Sequence, residues 1–83
     1  MLNKDDMMRL YDEAQAIARP YAFDAYVVDV TAYQFGFALV ISLRASKAEG
    51  DEDSFDKQIA DHLYREEAEG ILAAFKNYLA GEG

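Results

Sequence analysis

The chain has 83 residues, 52% of them apolar, with six tyrosines, five phenylalanines and a formal net charge of −8 from sixteen acidic and eight basic side chains. This is the composition of one small folded domain over residues 1–83, not of a disordered acidic tail, and a chain of this length buries roughly 60–65% of its unfolded surface. Without cysteine there is no disulfide or thiolate metal site and a cytoplasmic location is expected, while the acidic balance argues against direct nucleic-acid binding or attachment to an anionic membrane, both of which depend on Lys and Arg.

The first residues carry Asn3, Lys4, Asp5 and Asp6 where a secretory signal needs an apolar run. No apolar stretch approaches the roughly 20 residues that span a bilayer. Asn3 is a good N-cap, and Asp5 and Asp6 sit where a helix dipole favours negative charge. Met7, Leu10, Tyr11, Ala14, Ile17 and Ala18 then form one apolar stripe of an amphipathic helix, which Pro20 ends.

From Phe23 onward the period becomes two. Tyr26, Val28, Val30 and Ala32 share one strand face, with Val27, Asp29, Thr31 and Tyr33 on the other. A second strand over 37–45 presents Phe37, Leu39, Ile41 and Leu43 to the core. A two-residue turn, Phe35-Gly36, keeps both apolar faces together and predicts Val30 opposite Ile41, Val28 opposite Leu43 and Thr31 opposite Val40. The back of this hairpin is only half suited to water, because Val27, Tyr33, Ala38 and Val40 interrupt Asp29, Thr31, Ser42 and Arg44. A two-stranded ribbon also leaves both edges unpaired. A homodimer that joins two hairpins or covers this back is therefore expected, with Val27, Tyr33, Phe35 and Val40 as the candidate apolar anchor or dimer face.

Residues 46–53 read as a polar loop, and Asp53 or Ser54 can cap a second helical region over 54–80 that Gly81 stops. Its apolar residues form two stripes on nearly opposite sides, Phe55, Ile59 and Leu63 on one and Tyr64, Ala68, Ile71, Phe75 and Leu79 on the other. One straight helix would face two ways. The pattern predicts a kink, a break within 67–70, where Gly70 weakens a helix, or a helix held between two partners. The expected fold is thus α+β, α-β-β-α, an antiparallel hairpin packed with an N-terminal helix and a long C-terminal helical region.

Nine carboxylates, Glu49, Asp51, Glu52, Asp53, Asp56, Asp61, Glu66, Glu67 and Glu69, face only Lys47, Lys57 and Arg65, which concentrates six of the eight net negative charges in this stretch. As ordinary chemistry the cluster offers helix-dipole contacts for Asp51, Glu52, Asp53 and Asp56 and a solvated ladder of Asp61, Arg65 and Glu69. As a site it offers an acidic surface that attracts a basic groove. A calcium loop starting at Asp51 fails, since Phe55, Asp56 and His62 stand where an EF-hand needs a ligand, a glycine and a glutamate. His62 and Glu66, at i and i+4 of a helix, are two groups and not a metal site. Phosphate-loop, dinucleotide and nucleophile-elbow motifs are missing, so catalytic residues, metals and cofactors are all expected to be none.

In size, acidity and absence of cysteine the chain resembles, in type alone, the phage and mobile-element proteins that inhibit host nucleic-acid machinery, such as anti-CRISPR-like or DNA-mimic proteins. That resemblance implies an inhibitor that holds a basic or nucleic-acid-handling protein through the surface of residues 49–69, with Tyr33 or Phe35 as apolar anchor. The alternative is a structural or accessory homodimer whose hairpin back and C-terminal stripe mediate assembly.

Overall fold

Asn3 starts the first helix as its chemistry requires. In the structure, a computed structural model that describes residues 1–22, 26–47 and 54–81, its Oδ1 accepts the Asp6 N–H at 2.8 Å and its own N–H donates to Asp6 Oδ2 at 3.2 Å. This reciprocal capping box opens helix α1, Lys4–Ala18, which buries Met7, Leu10, Ala14 and Ala18. A short 3₁₀ turn at Arg19–Tyr21 contains Pro20 and ends it. The expected start of the strand at Phe23 lies outside the described residues.

Strands β1, Tyr26–Phe35, and β2, Ala38–Lys47, form the expected antiparallel hairpin, but with a different turn. Its two central residues are Gly36 and Phe37, with Phe35 paired to Ala38. Gly36 has φ 63°, at the first central position, as a type II′ turn demands. The twist of such a turn matches that of its strands, whereas a Phe35-Gly36 turn with Phe35 at its ordinary negative φ would splay them. The register therefore moves by two: Val30 lies opposite Leu43, Val28 opposite Ala45 and Thr31 opposite Ser42. An even shift leaves every side chain on its expected face.

The larger correction concerns residues 54–80, which are two elements. Strand β3, Ser54–Ala60, pairs antiparallel with β2, and helix α2, Arg65–Leu79, follows after a turn. The domain is α+β with the order α-β-β-β-α and the strand order β1-β2-β3. Phe55 and Ile59 are four apart, a spacing that lines up on a helix and equally on a strand, because four is even. The two opposed stripes belong to two elements, so no kink is needed. α2 runs unbroken through Gly70, buries Ala68, Leu72, Phe75 and Leu79, and stops before Gly81, whose φ is 80°. Ser54 begins a strand instead of capping a helix, and Asp53 lies outside the described residues.

Both helices cover one face of the sheet. Their stripes meet Ile41, Leu43, Ala45 and Ile59 in a single core, where the Phe55 ring lies 5.5 Å from Phe75 and 5.8 Å from Tyr78. Because β3 pairs with β2, the hairpin is not a lone ribbon, and among the described residues the sheet edges are the outer sides of β1 and β3. On β3, Lys57 shares the face of Leu43 yet stays exposed, an inward charge of the kind that discourages further strand pairing. Among the described residues no helix is long and apolar enough to cross a membrane.

Candidate functional site

Two helices lie on one face of the sheet, and among the described residues no element covers the other face. Its residues follow from strand alternation: Val27, Asp29, Thr31, Tyr33 and Phe35 on β1, Val40, Ser42, Arg44 and Ser46 on β2, and Ser54, Asp56, Gln58 and Ala60 on β3. Across the strands they form rows. Nearest the turn lie Phe35 and Ala38, then Tyr33, Val40 and Ala60, then Thr31, Ser42 and Gln58, and beyond them Asp29, Arg44 and Asp56.

This face grades from aromatic to acidic along its length. At the acidic end Arg44 Nε stands 3.9 Å from Asp56 Oδ2, with both side chains about two-thirds exposed. Such a pair is weak in water, so it leaves both ions available to a partner. With two carboxylates for one guanidinium the row is net negative. The chain leaves β2 at Lys47 and enters β3 at Ser54, one row further on. The candidate site residues Glu49, Asp51, Glu52 and Asp53 belong to the connecting segment and lie outside the described residues.

The other expected carboxylates go elsewhere. Asp61 sits in the turn after β3, where its Oδ2 accepts the Leu39 N–H at 3.1 Å, its N–H donates to the Leu39 carbonyl at 3.0 Å, and its carbonyl accepts the Leu2 N–H at 2.9 Å. It fastens three segments together. The expected ladder of Asp61, Arg65 and Glu69 does not form, since Asp61 is not helical and Arg65 Nη2 reaches across to Asp6 Oδ1 at 2.9 Å. Glu66, Glu67 and Glu69 lie exposed in the first turns of α2, in the helical layer on the opposite side from the open face. His62 is in the turn before α2, so it shares no helical face with Glu66.

Of the four apolar candidates, Val27, Tyr33 and Phe35 are exposed, whereas Val40 on the central strand is only 8% exposed between its neighbours and offers little surface. Phe37, expected in the core, is fully exposed in the turn. Sequence reasoning passed over Asp29 as a site residue, although its place among the polar residues of the hairpin back was the available signal. It also missed the tie between Asp6 and Arg65, 59 positions apart, for which no local pattern exists.

Fold and face together define a small α+β domain with an open, acid-ended antiparallel sheet. No protein-family model, curated protein or solved structure matches this chain.

Proposed function

We propose that the chain is an acidic binding protein that docks the carboxylate end of its open sheet face on the basic surface of a nucleic-acid-handling protein and inhibits it. The observation that supports this reading is the row of Asp29, Arg44 and Asp56, uncovered by either helix and adjoining the two strand ends that hold the four carboxylates of residues 48–53. Asp29 and Asp56 are two strand spacings apart, roughly 10 Å, a separation of negative charges suited to a groove built for phosphates. Electrostatic steering then speeds association and makes it sensitive to salt. The chain acts by binding and not by catalysis, in the cytoplasm, and with no cofactor.

The test is an affinity pulldown from source-cell lysate at low and high salt. Wild type is compared with a variant in which Asp51, Glu52, Asp53 and Asp56 are changed to their amides. The expected result is a nucleic-acid-handling protein, identified by mass spectrometry, that wild type retains at low salt and that is lost both on neutralisation and at high salt. A retained set indifferent to the four substitutions would refute the reading.

A further inference from the structure

A second surface lies at the other end of the hairpin. Between α1 and the turn end of β1 and β2 runs a groove of about 410 Å³, walled by Met7, Met8, Tyr11, Ala32, Leu39 and Ile41. A ring the size of benzene fills a cavity of about 150 Å³, so the groove has room for a phenylalanine side chain and part of another. Phe37 belongs by alternation to the same side of β2 as Leu39 and Ile41, but it stands in the turn, clear of the helices, and is 102% exposed. Phe35 at 76% and Met8 at 56% flank the same end. Contiguous apolar surface of this kind marks an interaction site on a small protein.

We propose that the groove is filled by a second copy of the chain: two copies meet about a twofold axis near Met8, and Phe37 of each copy seats in the groove of the other. A twofold contact requires plug and socket on one patch. Here Phe37 is two residues from the groove wall at Leu39, about 7 Å along the strand. The charges at the rim are self-complementary as well. Lys4 and Asp12 border the groove at one helical turn to either side of Met8, so antiparallel α1 helices crossing there set Lys4 of one copy against Asp12 of the other, twice. The exposed parts of Phe37 and Met8 amount to roughly 600 Å² over both copies, and the groove lining adds to the apolar area that the contact removes from water. The acidic row of Asp29 and Asp56 lies toward the other end of the sheet, so those two carboxylates are held away from the contact.

Sedimentation velocity over a micromolar concentration series tests this. Wild type should dimerise, and Phe37→Ser should weaken the dimer about tenfold or more with an unchanged circular dichroism spectrum and, at a dilution where both proteins are monomeric, an unchanged melting temperature, since Phe37 is fully exposed within its own chain. Lys4→Asp alone should weaken the dimer, and adding Asp12→Lys should restore it. A wild-type monomer at every concentration, or a dimer indifferent to Phe37→Ser, would overturn the proposal. A double charge swap that fails to rescue would overturn the antiparallel placement of α1.

Discussion

Asp61 shows how one carboxylate in an acidic run can have an internal task. Its side chain is the acceptor for the N–H of Leu39, near the start of the central strand, while its backbone holds Leu39 and Leu2. Removing the acceptor leaves a half-buried donor unsatisfied. Asp61→Ala should therefore cost about 1–3 kcal/mol in urea unfolding, and Asp61→Asn, which keeps an oxygen in place, clearly less. Equal losses in the two variants would mean that charge, and not the hydrogen bond, is what matters there. Asp6 has a comparable double use, since it closes the capping box of α1 and also receives Arg65 from the start of α2. The capping half was legible in Asn3 and Asp6 three residues apart. The pairing with Arg65 was not, because it depends on how the helices lie side by side over the sheet.

At the scale of elements, the N-terminal helix and the hairpin were legible because their apolar periods are unambiguous, and Pro20 and Gly36 punctuate them. β3 was not, because Phe55, Ile59 and Leu63 satisfy both periods at once. The conflict between that stripe and the one through Ala68 and Phe75 was a real signal, resolved by a change from strand to helix in place of a kink. The continuity of α2 gives a direct check. Gly70 is exposed, its φ is ordinary for a helix, and a Cβ there would meet nothing within 4 Å. Gly70→Ala should stabilise the protein by about 0.5–1 kcal/mol in thermal or chemical unfolding. A loss of stability would mean that the helix needs glycine at this point. The hairpin register was harder to read than its faces, because Phe35-Gly36 and Gly36-Phe37 place the same side chains inward and differ only in the twist of the turn.

Across the whole molecule the helical layer and the open sheet face divide the carboxylates that appear as one run in the sequence. Glu66, Glu67 and Glu69 fall on the helical side, Asp61 is used internally, and Asp56 joins Asp29 and Arg44 on the open face. Carboxylate density along the chain was therefore visible, but its division between two sides was not, since that depends on where a strand ends and a helix begins. The aromatic end and the acidic end of the hairpin are also separated, so a twofold contact through Phe37 leaves two acidic faces open at the far ends of the pair. Such a dimer would present two acidic sites at once, and a partner with two basic surfaces would then bind with avidity beyond that of a single site.

In the proposed docking, position and not total charge selects the open face. The most direct measurement compares two variants of equal net charge for affinity to the partner retained in the pulldown, across a salt series. One carries amides at Asp51, Asp53 and Asp56, the other at Glu66, Glu67 and Glu69. The first is expected to lose at least about tenfold in affinity together with much of its salt dependence, while the second stays within about twofold of wild type. Equal losses in the two variants would reduce the acidity to general attraction and contradict the assignment of the site.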